Sequence, residues 1–279
     1  MSRSLDSGPT RSEREQVRAR PCNTPRERVE TQRRENKALY KFNTRSYHLN
    51  PNQEAMLRDI GMFRTVTTES LQKHIYGNDK DRMENDLRNL RDLRLIAMQS
   101  QTGGKDRYLS LTRAGKGLTE TRLRTNRDQA LYSGIVKKRE LRHDAAIYEL
   151  YHKEAQKISA SGGRVKRVVL DFELKRDLNR QLAKVQGLPP AERERHRQVI
   201  AEQHGLKIVK SKIQIPDLRM EYESREQEEC RVDLECVTGH YKSRQIAAKK
   251  SAGFKLYNQD YRGRAAERGE DLIGEVMSL

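Results

Sequence analysis

The stretch from Ile213 to Tyr257 constrains the fold most, because its hydrophobic period changes twice within one short span. From Ile213 to Tyr222 the side chains alternate by two, the period of a strand. Ile213, Ile215, Asp217, Arg219 and Glu221 share one face, and Gln214, Pro216, Leu218, Met220 and Tyr222 share the other. The polar run Glu223 to Glu229 is a connection. Cys230 to Val237 alternates again, with Val232, Leu234 and Cys236 toward a core and Arg231, Asp233, Glu235 and Val237 on the opposite face. A helix over about 242–252 and a strand over 254–258 follow. Strands that bury one face and carry carboxylates on the other point to a site rather than a plain sheet edge.

Ahead of this stretch the chain reads mostly as helices. Residues 1–45 hold 12 Lys and Arg against 6 Asp and Glu and almost no apolar pattern. Such a basic arm cannot bury enough surface to offset its ordering entropy and is expected to be disordered. Asn50-Pro51-Asn52-Gln53 carries a cap residue, a proline at the first helical position and Gln at the third, and Ala55, Met56, Ile60 and Phe63 follow at helical spacing. Thr67 or Thr68 opens a second short helix, which Gly77-Asn78-Asp79 breaks. A third runs from about Lys80 to Arg94 with Met83, Leu87 and Leu90 inward. Leu95 to Met98 and Arg107 to Leu111, joined through Gly103-Gly104, form a hairpin. Thr112 opens the next helix, and residues from there to about Ser159 read as helical. A strand lies near Val168, and an excursion of two helices fills 172–204, interrupted by Pro189-Pro190.

Charge narrows the class of partner. The formal net charge is +17 and the pI about 9.9, so the field attracts polyanions, and nucleic acid is the expected partner. No run of about 18 apolar residues suggests a membrane span, and the Arg-rich N-terminus lacks the apolar core of a secretory signal. Cys22, Cys230 and Cys236 are odd in number and form no CxxC pair, which fits a reducing cytoplasm and argues against structural zinc. His143 and His152 stand nine residues apart, which does not suit a shared metal on one helix, so both read as structural or surface histidines. There is no GxxxxGK[ST] and no GxGxxG at a strand-to-helix turn.

Three helices, the glycine-tipped hairpin and the exit LTRAG resemble a winged helix-turn-helix spanning 46–125. On that resemblance Lys80, Arg82, Asn85, Arg88 and Asn89 face a major groove, where Arg suits guanine and Asn suits adenine, while Lys105 and Arg107 rest on phosphates. Residues 126–279, with 172–204 as a helical insertion, resemble a restriction-endonuclease-like α/β module, which makes the expected class α+β. That likeness rests on Pro216-Asp217 and Asp233-Leu234-Glu235. It implies that Asp217 and Glu235 hold a divalent ion, for which magnesium suits the hard carboxylates. The family's lysine position is Val237 here, so Lys249 is the candidate to reach in from the following helix, with Lys242 and Lys250 as alternatives. Asp217 as an ordinary carboxylate and Glu235 as the ion-pair partner of Arg219 is the competing reading.

The whole arrangement resembles the replication-relaxation family of plasmids and other mobile elements. His143-Asp144, Pro216-Asp217, Asp233-Leu234-Glu235, Thr238, Tyr241, Lys249 or Lys250, and Tyr257 carry that likeness. It implies binding to double-stranded DNA in replication, mobilisation or its control, with replication or mobilisation proteins as partners. It does not by itself imply cleavage, so the expected function is sequence- or structure-selective binding of double-stranded DNA with a vestigial nuclease-like site; a metal-dependent endonuclease using Asp217 and Glu235 is the first alternative, and a protein-interaction adaptor or transcription regulator the second. Winged-helix proteins are commonly symmetric homodimers, although no heptad seam is visible.

Overall fold

The computed structural model describes residues 37–100, 107–124, 126–134, 140–239, 241–258 and 277–278. They form a mixed α+β structure. It begins with an antiparallel hairpin, β1 (Ala38–Phe42) and β2 (Arg45–Leu49), turned at Asn43 with φ 53°. This corrects the expectation that the arm runs unstructured to 45. The hairpin is tied down by aromatic side chains. The Tyr40 hydroxyl donates to Glu54 at 2.8 Å, Tyr47 and Leu49 are buried, and Phe42 lies where a Cβ on Gly117 would come within 2.5 Å of its ring.

α1 (Pro51–Phe63) starts with the anticipated reciprocal cap: the Gln53 N–H donates to the Asn50 side chain, and the Asn50 N–H donates to the Gln53 side chain. β3 (Val66–Thr67) leads into α2 (Thr68–His74), capped by Thr67. α3 (Lys80–Asp92) is capped by Asp79. β4 (Ile96–Ser100) and β5 (Arg107–Leu111) pair antiparallel, and β5 also pairs with β3. Thr112 caps α4 (Arg113–Leu118). Gly115 passes so close to the Leu95 carbonyl that any Cβ would stand 2.0 Å from its oxygen, which is why the LTRAG turn needs glycine there.

The helix does not continue to Ser159 as expected. After a π-helical turn, Thr119–Leu123, the chain becomes irregular, and α5 (Leu141–Ala160) starts afresh. In the irregular part the side-chain amide of Gln129 donates to the Val168 carbonyl at 3.0 Å and accepts from the Val168 N–H at 2.8 Å. Asn126 donates to the Lys166 carbonyl at 2.9 Å.

β6 (Arg164–Leu170) is followed by α6 (Asp171–Lys184) and α7 (Pro190–Gln203). These two helices are the anticipated excursion and share a small core of Leu178, Ile200 and Leu206. A two-residue-tipped hairpin, β7 (Ile208–Val209) and β8 (Lys212–Ile213), follows. The strand expected from 213 is therefore broken. Pro216 has no N–H to offer a ladder, and β9 starts only at Leu218, running to Glu223. β10 (Glu229–Val237) pairs antiparallel with β9, with Asp233 opposite Arg219 and Leu234 opposite Leu218. α8 (Ser243–Ala252) crosses to β11 (Lys255–Asn258), parallel to β10, and β12 (Met277–Ser278) lies beyond. The five-stranded sheet has the order β12-β11-β10-β9-β6.

α5 is shared between the two halves. One face packs on the sheet, and the other meets α1 and α2 through Phe63–Tyr148 and Phe63–Tyr151 ring contacts at 5.1 and 4.9 Å. The Tyr148 hydroxyl donates to Asp59 at 2.6 Å, and His74 stacks on His152 at 3.8 Å. The main hydrophobic core runs without a break from Tyr47 to Tyr257, so it continues across the boundary expected at 125/126. No helix among the described residues is long and apolar enough to cross a membrane.

Candidate acid centre and nucleic-acid face

The acid centre is built where β9, β10, α5 and α8 meet. Asp217 sits one residue before β9, and its backbone N–H points at Glu235 Oε2, 3.3 Å away on the neighbouring strand. Asp217 Oδ2 accepts from the Cys236 N–H at 2.9 Å. Glu235 is 1% exposed. A carboxylate so far from water needs compensating charge and hydrogen bonds. Lys249 supplies the charge, with Nζ 2.7 Å from Oε1, and the Tyr241 hydroxyl donates to the same oxygen at 2.8 Å. Lys249 is itself steered by the Ile215 carbonyl at 2.6 Å. Burial, then the charge of Asp217, still hold the Glu235 carboxyl well above the ordinary carboxylate range, against the pull of Lys249 and Tyr241. Tyr241 is pushed upward too, by burial and then by Glu235.

His143 completes the group. It stands in the first turn of α5 with Nε2 3.5 Å from Asp217 Oδ1. Hydrogen bonds to Asp217 and Cys236 raise its imidazole well above the usual value, more than burial lowers it. His143, expected to be a structural or surface residue, is half-buried against Asp217. The residue is 74 positions from Asp217 in the chain, and only the crossing of α5 over the sheet brings the two together. The His143-Asp144 pair of the family resemblance is the one sequence signal that pointed to it. His152 does behave as a packed residue, stacked on His74.

Not every acid in the stretch joins the centre. Asp233 faces Arg219, which donates from Nε at 2.7 Å and Nη2 at 2.9 Å and also reaches the His204 carbonyl at 2.6 Å. Arg219 thus docks the end of α7 on the sheet. Its partner is Asp233, which overturns the alternative that pairs it with Glu235. Tyr257 is engaged with Glu154 at 2.6 Å and Lys157 at 2.9 Å instead.

Two carboxylates, Asp217 and Glu235, are brought together at the centre, and each of their oxygens has a protein partner. Among the described residues no group of three or more His, Cys, Asp or Glu is arranged to hold a metal ion alone. Magnesium commonly takes one or two protein carboxylates and fills its remaining positions with water and phosphate oxygens. Asp217 and Glu235 match that donor set.

The second region is the outer face of α3. Met83, Leu87 and Leu90 point inward, while Lys80, Arg82, Asn85, Arg88 and Arg91 are exposed. Asp86, on the inner side, is buried and accepts from Asn50, Gln53 and Tyr76 at 2.9, 2.9 and 3.0 Å. It therefore does not offset the outer cations in solvent. Two expected contacts change. Asn89 is half-buried and accepts from Gln53 at 3.1 Å, so it is not poised to read a base. Arg107 grips Glu84 with both terminal nitrogens, one at 3.0 Å, and holds that carboxyl below its usual range. Its charge is spent on joining β5 to α3. Lys105 lies outside the described residues.

No protein-family model, curated protein or solved structure matches the chain.

Proposed function

We propose that the protein binds double-stranded DNA through a winged helix-turn-helix in its N-terminal half and cuts a phosphodiester strand at the acid centre of a restriction-endonuclease-like module. One observation supports the catalytic reading above the rest. Lys249 reaches Glu235 from α8, which suits it to the part of the lysine that the resemblance asks for at Val237. Asp217 and Glu235 would hold magnesium, which supplies charge neutralisation and a water of lowered pKa at the phosphate. Lys249 orients Glu235 and brings a cation to the attacking side. Tyr241 keeps Oε1 of Glu235 hydrogen-bonded, and His143 fixes the carboxylate of Asp217. Lys80, Arg82, Asn85, Arg88 and Arg91 present cations and an amide to a duplex groove. The resemblance to replication-relaxation proteins supports a role in the replication or mobilisation of a mobile element, without by itself implying the cutting.

Supercoiled plasmid incubated with magnesium or manganese tests this. Nicking by the native chain that Asp217→Ala abolishes is the expected result, and equal nicking by both proteins sinks it. A binding-only protein is the second reading, favoured by the near-complete burial of Glu235. It predicts salt-dependent duplex binding with no nicking under either metal. Binding that is absent at about 50 mM salt, or flat with salt, removes both readings.

A further inference from the structure

Arg64 closes α1 in a backbone state that side-chain-bearing residues rarely adopt. Its φ is 65° and its ψ −45°, and the Thr65 N–H reaches back to the Phe63 carbonyl at 2.6 Å. That is a three-residue turn of the strained, positive-φ hand. Glycine takes positive φ freely, yet arginine stands here. Strain of this type, on the order of 1–3 kcal/mol, persists where the surroundings over-determine it.

The surroundings of Arg64 belong to the other half of the molecule. Nε and Nη2 both donate to Asp144 Oδ2, at 3.1 and 2.5 Å. Glu140 stands 3.8 Å away. The guanidinium lies 4.8 Å from the centre of the Phe172 ring. Glu140 and Asp144 bracket the first turn of α5, and Phe172 opens α6. His143 is the residue directly before Asp144, and it faces Asp217.

We infer that Arg64 is a positioning residue for the acid centre: its strained turn aims the guanidinium at Asp144, which sets the first turn of α5 and thereby the ring of His143 against Asp217. The inference rests on reading Asp217 and Glu235 as a metal centre. It adds that the centre is aligned from the end of α1, a helix of the proposed DNA-binding half. An arginine is required because it must satisfy a carboxylate and stack on an aromatic ring at once, which a lysine ammonium cannot reproduce.

The test uses the full chain without DNA. Manganese binding is titrated for the native protein and for Arg64→Gly, Arg64→Lys, His143→Ala, Arg64→Gly/His143→Ala and Asp217→Ala. The ring signal of His143 is followed by NMR in the same proteins that retain it. Asp217→Ala abolishes binding. His143→Ala weakens it about 10-fold, as loss of a group that orients a metal ligand does. Arg64→Gly weakens it about 3- to 10-fold and adds nothing in the His143→Ala background, since both act through one ring. Arg64→Gly also moves the His143 signal toward its position in Asp217→Ala. Arg64→Lys behaves in the same direction and stands in if the glycine variant does not fold. Native affinity and an unmoved His143 signal in a folded Arg64 variant overturn the inference, as does additivity with His143→Ala. Absence of manganese binding by the native chain defeats the metal-centre reading instead, and the His143 signal alone then decides the role of Arg64.

Discussion

On the outer face of α3, Lys80, Arg82, Arg88 and Arg91 keep their charges in water. Between β9, β10 and α8, Glu235, Asp233, Arg219 and Lys249 hold theirs almost wholly inside the protein. The same residue types serve different ends in the two places. An exposed cation adds little to folding and stays available to a partner. A buried charge must be matched by a neighbour of opposite sign, so it fixes geometry and is lost with difficulty. The ridge can therefore vary residue by residue, whereas the interior set behaves as a unit.

Removing one interior partner should give the largest effect. Arg219→Ala leaves the half-buried Asp233 unmatched and should lower unfolding free energy by about 2–4 kcal/mol in urea titration. Arg219→Met combined with Asp233→Leu should recover much of that. A loss below about 1 kcal/mol in the single variant would place Asp233 with the exposed charges and break the contrast.

Next in size is a proton effect at α2 and α5. Burial, then the adjacent His74, lower His152 to about 4, and Glu149 and Lys73 also face this cluster. An unfolded imidazole titrates near 6.5. Between those values the unfolded chain takes up a proton that the folded chain refuses, so stability falls as pH falls through that window. The buried carboxyl of Asp59, raised to about 6, works in the opposite direction. Comparing His152→Gln with the native chain isolates the histidine. The native chain should lose about 1–3 kcal/mol more between pH 7 and pH 4, and parallel curves would refute it.

On the ridge, Arg88→Ala should leave stability within about 0.5 kcal/mol. Its duplex affinity should drop by roughly 1 kcal/mol, and the salt dependence of binding should lose about one phosphate contact or one base contact with it. Unchanged anisotropy curves with labelled duplex would take Arg88 out of the interface. The smallest effect is expected at the β7–β8 turn. Lys210 and Ser211 have φ of 49° and 57°, where Asn-Gly is favoured. Lys210→Asn with Ser211→Gly should raise stability by about 1 kcal/mol or less. A fall would show that the lysine and serine side chains hold the turn.

Local chemistry was legible in the sequence. The reciprocal cap of Asn50 and Gln53 and the Thr67 and Thr112 caps act within a few residues, so spacing alone reveals them. The alternation of β10 foretold the burial of Leu234 and Cys236 but not that of Glu235 and Val237, which the second face of the sheet also encloses, and Lys249 could be nominated because α8 follows β10 directly. What stayed hidden depends on crossings of distant segments. His143 meets Asp217 only because α5 lies over the sheet. Asn89 was misread because its helical position is outward by period, yet Gln53 draws its amide inward. Arg107 was misread because the pattern does not show Glu84 across the strand–helix gap. The β1–β2 hairpin escaped notice because its apolar residues are few and scattered among arginines and lysines.

Asn126 and Gln129 occupy the bonding positions that a further strand would take along Lys166 to Val168. An open margin of this kind ordinarily invites a neighbour to zip on, and here the chain's own connecting segment stands in for that neighbour. A second copy cannot prolong the sheet from β6 without first prising those amides away. At this margin the tether between the halves doubles as a guard against runaway stacking.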